Sequence, residues 1–191
     1  MKYQHKLLAL AVAASFTCGS AFAMTKGEYK AQKDRIEADY KSAKKNCGSL
    51  KANANDICKA EAKGAEKVAK AELEAAYKPG DKNAYKVNEA RADAAYEVAK
   101  EKCDDLAGNT KDVCVKDAKA AHVKAKADAK VTKAANEVDT ARTQKVAEAR
   151  KDSVSDQNDA NYKATVERCD TFAGDVKDRC VNDAKVKFGR K

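Results

Sequence analysis

Cys103-Asp104-Asp105-Leu106-Ala107-Gly108-Asn109-Thr110-Lys111-Asp112-Val113-Cys114 decides how this chain is read, because the same frame occurs three times. Cysteines with ten residues between them stand at Cys47 and Cys58, Cys103 and Cys114, and Cys169 and Cys180, offset by 56 and then 66 positions. Tyr40, Tyr96 and Tyr162 each precede the first cysteine by seven residues, and Leu50, Leu106 and Phe172 follow it by three. Asp56, Asp112 and Asp178 stand two before the second cysteine, and Ala62-Lys63, Ala118-Lys119 and Ala184-Lys185 come after it. The first two units also match upstream, Tyr29-Lys30 with Tyr85-Lys86 and Arg35 with Arg91. So many coincidences in register identify an array of one supersecondary unit.

The unit reads as an α-helical hairpin. Ile36, Tyr40, Ala43, Cys47 and Leu50 recur at spacings of four and three, as do Ala92, Tyr96, Ala99, Cys103 and Leu106. That is one face of a helix. Beyond the second cysteine the rhythm continues through Cys58, Ala62, Ala65 and Ala69, and through Cys114, Ala118, Ala121 and Ala125. At the corner, Gly108 and Gly174 are expected to take the left-handed conformation that ends a helix, where the first unit has Ala52. Asn53, Asn109 and Asp175 come next and suit the N-cap of the second arm. Each cysteine then lies on the apolar face of its own arm. The pairings Cys47–Cys58, Cys103–Cys114 and Cys169–Cys180 rivet each hairpin closed, chosen from the fifteen that six cysteines allow. In the loop-entropy model a ring of about a dozen residues contributes roughly 2.5–3 kcal/mol.

The start of the chain looks like an export leader. Lys2, His5 and Lys6 precede the apolar stretch Leu7 to Phe16, and Ala21-Phe22-Ala23 carries the small-x-small cleavage pattern. The stretch is too short for a membrane anchor. Cys18 is a poor lipidation site, with Phe16 and Thr17 before it. Cleavage after Ala23 leaves 168 residues, a net charge of +7 and six cysteines. Export agrees with disulfides, which need an oxidising compartment. Of those 168 residues, Leu, Ile, Val and Phe supply 21 and alanine 34, too few large side chains for a conventional core or a deep enzymatic cleft. The expected fold is all-α, an elongated coiled-coil-like array of three disulfide-stapled hairpins.

The expected division is 1–23 leader, 24–80 first hairpin, 81–152 second hairpin with an extended second helix, and 153–191 third hairpin with a basic tail. Tyr77-Lys78-Pro79-Gly80-Asp81 is a helix stop and restart, with Asp81 as the next cap. No such signal occurs between Lys111 and Asp152. One helix of roughly 60 Å is expected there, carrying a stripe of Val115, Val123, Val131, Val138, Val146 and Val154. Asp152-Ser153-Val154-Ser155-Asp156 is the expected break before the third hairpin.

Chemistry is sparse. Beyond the leader His122 is the only histidine, and it reads as a solvent-facing helical residue. The carboxylates sit at helical spacing from bases, as in Glu37–Lys41, Glu66–Lys70 and Asp112–Lys116, giving solvated pairs worth a few tenths of a kcal/mol. There is no glycine-rich phosphate loop and no C-x-x-C redox pair. An enzyme is not expected, nor a cofactor. Structural disulfides outweigh the alternative in which two hairpins pool four thiolates around zinc or copper, because zinc ligands usually stand two to four residues apart. The half-buried Tyr40, Tyr96 and Tyr162 read as covers over the seam.

Positive charge gathers at Lys44-Lys45, at Lys124, Lys126, Lys130 and Lys133, and at Lys185, Lys187, Arg190 and Lys191. The last two groups are the candidate sites for an anionic envelope polymer such as lipopolysaccharide, held through phosphate contacts. Aromatic residues do not interleave with them, so base-reading of nucleic acid is not expected. The remaining candidate partners are an envelope protein and a second copy of the chain, since the Ala and Val stripes can be satisfied between hairpins or between chains.

The Ala/Lys/Asp/Glu-rich helical composition resembles the middle section of TolA, the envelope-spanning protein of Gram-negative bacteria, though TolA keeps an uncleaved anchor and carries a globular C-terminal domain. The hairpin with the corner Leu106 to Asp112 is similar to small exported proteobacterial proteins of unknown function described as TolA-like. That resemblance implies a place in the periplasm or outside the cell more than an activity. A weaker likeness in charge and helicity connects the chain to the periplasmic holdase Skp, and one in hairpin form to mitochondrial twin-cysteine proteins. The reading is therefore a non-enzymatic periplasmic module, with a Skp-like holdase, a polyanion binder and a thiol metal buffer as alternatives.

Overall fold

The computed structural model describes residues 24–136 and 142–190. Six helices account for nearly all of them: α1 (Lys26–Cys47), α2 (Ala52–Tyr77), α3 (Asp81–Cys103), α4 (Gly108–Asn136), α5 (Arg142–Cys169) and α6 (Gly174–Lys187). The protein is all-α, an array in which each helix packs against the helix before it and the helix after it and, among the described residues, no other. Neighbours run antiparallel. The start of α2 lies beside the end of α3, with Asn53 against Glu101, and Glu72 further along α2 meets Arg91 nearer the start of α3. Asn109 and Asp117 of α4 likewise meet Glu167 and Arg168 of α5, while Ala135 lines a groove with Thr143 and Val146.

Local signals explain the ends. Thr25 caps α1 by a reciprocal pair, its Oγ1 accepting from the Glu28 N–H at 3.2 Å while Glu28 Oε2 accepts from the Thr25 N–H at 2.8 Å. The Thr25 N–H, and after it the Thr25 hydroxyl donating to Glu28 Oε2 at 2.8 Å, hold the Glu28 carboxyl below its ordinary pKa. Pro79 and Gly80 separate α2 from α3, and Gly80 adopts φ +150°. Gly80 is the cap residue of α3, and Asp81 is its first helical residue rather than its cap.

Three cystines close the hairpins as the spacing predicts: Cys47–Cys58, Cys103–Cys114 and Cys169–Cys180, with Cα–Cα separations of 5.6, 5.6 and 5.7 Å. Because the hairpins alternate with plain joints, all three cystines lie along one edge of the array. Cys47, Cys103 and Cys169 are wholly buried. The rest of the core is thin, chiefly Ala62, Leu73, Val87, Ala92, Ala127, Ala129, Ala164 and Ala184.

The corners differ in one respect from the sequence reading. The first arm does not end at the glycine; it ends at the cysteine and winds out in one tight turn. The N–H groups of Leu50, Leu106 and Phe172 donate to the carbonyls of Cys47, Cys103 and Cys169, each at 3.0 Å. Gly108 and Gly174, at φ +54° and +55°, open the second arm, and Ala52 is forced into the same conformation at +48°. Asn53, Asn109 and Asp175 lie within the first turn of that arm instead of capping it; the cap residues Lys51 and Ala173 make no side-chain cap bond.

The expected long helix is also corrected. α4 ends at Asn136, and α5 runs unbroken through Asp152-Ser153-Val154-Ser155-Asp156, where the break was expected. The boundary drawn at 152/153 thus falls inside a helix. α4 and α5 fold back on each other, and Ala127 and Ala129 of α4 and the small Ser153 of α5 are buried. Of the valine stripe, Val154 stays 59% exposed and Val138 lies outside the described residues. The expected leader, 1–23, is also outside them. Among the described residues no helix is long and apolar enough to cross a membrane.

Candidate functional site

The joints between hairpins are where side chains from distant parts of the chain converge. Asn53 Nδ2 donates to the Glu101 carbonyl at 2.7 Å, and Asn109 Nδ2 to the Glu167 carbonyl at 3.0 Å. The corner asparagines therefore clip each hairpin to the next. Ion pairs run alongside, Arg91 to Glu72 at 2.7 Å, Lys116 to Glu167 at 3.5 Å, and Arg168 to Asp117. Lys116, expected to pair with Asp112 on its own helix, instead reaches across to α5. At the α2/α3 joint the helices cross at Gly64, where an added Cβ would come within 2.9 Å of the Ala94 Cβ. A glycine is required there by the neighbour's proximity rather than by its own backbone.

Two shallow grooves flank that crossing. One, of about 430 Å³, is bordered by Tyr40, Lys44, Lys59, Lys63 and Lys67 together with Asp56, Glu97 and Glu101. The other, of about 540 Å³, is mostly apolar, with Ala65, Val68, Ala95 and Val98 among its lining residues.

His122 is not the solvent-facing residue expected from the sequence. It faces α3, its side chain 12% exposed, with Nε2 2.7 Å from Asp93 Oδ1. The imidazole stacks on Tyr96, ring centroids 4.7 Å apart, and Lys119 approaches Tyr96 at 5.3 Å. Lys126 lies 3.3 Å from Glu89 and 3.9 Å from Asp93. The repeat explains the placement: the residue eight after the second cysteine is Glu66, His122 or Phe188. Phe188 meets Tyr162 edge to face at 6.3 Å. Half-buried Tyr96 and Tyr162 thus cover the seam between arms against a partner on the opposite helix. Tyr29 and Tyr85 play the equivalent part at the far end, Tyr29 against Tyr77 at 4.5 Å and Tyr85 under Lys133 at 5.4 Å. Burial and a hydrogen bond with Glu89 push the Tyr85 phenol up to about 12. Tyr29 donates to Glu74 at 2.9 Å, which raises the phenol and lowers the carboxyl.

The candidate polyanion residues do not form one patch. Lys124, Lys126, Lys130 and Lys133 are on α4, and Lys185 and Lys187 on α6, with α5 between them. Most are already engaged: Lys124 with Asp128 at 2.6 Å, Lys126 with Glu89, Lys133 over Tyr85, Lys187 over Phe188 at 5.3 Å, and Arg190 with Asp159. Lys130 is exposed, Lys185 partly so, and Lys191 lies outside the described residues. The lysines around the α1/α2/α3 groove were only partly visible in the sequence, because Lys44, Lys59, Lys63 and Lys67 gather only when two helices pack side by side. All six cysteines of the described residues are consumed in cystines, so no thiolate is left among them to bind a metal. Comparison with family models, with curated proteins and with solved structures gives no match for this chain.

Proposed function

We propose that this is a non-enzymatic periplasmic cell-envelope protein of the TolA-like kind, working as a helical spacer or interaction module. The observation that carries the reading is the single-layer packing. Among the described residues each helix packs only against its chain neighbours, which leaves the broad faces of the layer to solvent. Three cystines fit an oxidising compartment outside the cytoplasm. They also supply stability that a core of alanines cannot. The test is in-cell cross-linking from the broad faces followed by identification of the captured species. Capture of an envelope protein or polymer from the periplasm supports the reading. Recovery of the chain from the cytoplasm with six alkylatable thiols would sink it.

A second reading, binding of an anionic polymer, is favoured by the groove bordered by Lys44, Lys59, Lys63 and Lys67. It predicts retention on heparin that survives physiological salt and falls when Lys63 and Lys67 are changed to Gln. Absence of retention even at low salt removes it.

A further inference from the structure

The two internal joints share a set of contacts, and the two outer faces of the array can be compared with them position by position. Six residues after the first cysteine stand Asn53 and Asn109, the clips, but Asp175 in the last unit. Asparagine donates to the neighbouring carbonyl; a carboxylate has no proton to donate and is repelled by it. Six residues after the second cysteine stand Gly64 and Ala120, but Val186 on α6. At Gly64 even a methyl group would stand 2.9 Å from the facing Ala94 Cβ. Val186, a branched side chain, projects from α6 82% exposed.

The opposite outer face, on α1, departs in a complementary way. Five residues before the first cysteine, α3 and α5 carry Val98 and the buried Ala164, whereas α1 carries the exposed Ser42. One residue before that cysteine, Arg168 pairs with Asp117, and Lys102 borders the same groove as Glu61. α1 has the uncharged Asn46 there. Two residues before it, Glu167 pairs with Lys116. At the α2/α3 joint those two positions are held by Glu101 and Ala60 and on the outer faces by Lys45 and Asn182, so this ion pair belongs to the α4/α5 joint alone. α5 follows the same rule beyond the reach of the short α6. Where α3 offers Tyr85 and Ala92 to α4, α5 has the exposed Lys151 and Asn158.

A repeat array must treat its ends differently from its interior, or copies add to one another without limit. We propose that the outer faces of α1 and α6 are built to refuse a second copy of this chain in the register of the internal joints. Asp175 and Val186 act on one face, Ser42 and Asn46 on the other. The three hairpins of the described residues thereby form a self-limiting unit, whatever they bind. This goes beyond the functional reading above and does not depend on it.

Sedimentation velocity of the purified oxidised protein tests the proposal. The wild type stays monomeric across the soluble concentration range. Asp175→Asn, Val186→Ala, Ser42→Val and Asn46→Arg together give end-to-end association at least tenfold tighter than any shown by the wild type. The converse change, Asn53→Asp with Gly64→Val, transplants the outer residues into the α2/α3 joint. Its three cystines and helix content persist, while amide exchange in the facing turns of α2 and α3 speeds up at least tenfold. Three results would overturn the proposal: wild-type chains that associate through α1 and α6, outer faces that remain monomeric after all four changes, or an internal joint undisturbed by its two.

Discussion

Gly64 lies so close to Ala94 that a methyl group on it would stand 2.9 Å from the alanine Cβ. That contact sets how near the first hairpin approaches the second. Gly64→Ala gains helix propensity of about 1 kcal/mol but forces the joint apart, and overpacking costs about 1–3 kcal/mol. The expected net effect is a destabilisation of about 1 kcal/mol in urea unfolding, relieved in the double variant Gly64→Ala/Ala94→Gly. A Gly64→Ala protein more stable than wild type would show that the helices slide apart freely.

Ala52 holds a left-handed backbone, φ +48°, at the position where the other corners use Gly108 and Gly174. A Cβ is unfavourable there by about 1–2 kcal/mol, and glycine offsets part of the gain through its greater freedom when unfolded. Ala52→Gly should raise stability by about 0.5–1 kcal/mol, read as an upward shift of the thermal midpoint. The reverse changes, Gly108→Ala or Gly174→Ala, should lower it.

His122 bridges Asp93 and Tyr96 across the α3/α4 seam. Removing the ring takes away a hydrogen bond and a stack, each worth on the order of 1 kcal/mol. His122→Ala should therefore cost about 1–2 kcal/mol, while His122→Phe, the residue found at the equivalent Phe188, should recover the stacking share. Thermal unfolding of both variants, with the wild type alongside, separates the two contributions.

Tyr85 titrates late, near 12, chiefly because it is partly buried and secondarily through its bond with Glu89. Its folded-state pKa lies above the unfolded value near 10. The stability linked to it is fully present below pH 10 and is lost as pH rises towards 12. An ultraviolet titration of the oxidised protein should show a late phenol phase that Tyr85→Phe removes. If the late phase survives that substitution, another tyrosine carries it.

Losing one staple should be felt locally. The Cys103→Ala/Cys114→Ala variant is expected to lose about 2.5–3 kcal/mol, with α3 and α4 separating at the corner before the other hairpins melt. Amide exchange around Leu106 measures this directly. Unchanged exchange there would mean that the Tyr96–His122 seam suffices without the cystine.

What lies within a dozen residues was readable from the sequence alone. The periodicity through Tyr40, Ala43 and Cys47 makes a helix, and the ten-residue spacing to Cys58 makes a corner and its cystine, because these choices depend on near neighbours. The place where α4 gives way to α5 was a different matter. No glycine or proline stands between Asn136 and Arg142, and a chain of Ala, Lys and Glu is content as helix in either arrangement. The repeat did hold one hint, since the end of α2 at Tyr77 maps onto Lys133, close to where α4 stops. Deciding it required burial: folding back sets the small side chains of α4 against α5, and an unbroken helix leaves them in water. His122, the lysines around the groove and the clips from Asn53 and Asn109 were hidden for the same reason. Each acquires its meaning from a residue on another helix, and only tertiary packing chooses that neighbour.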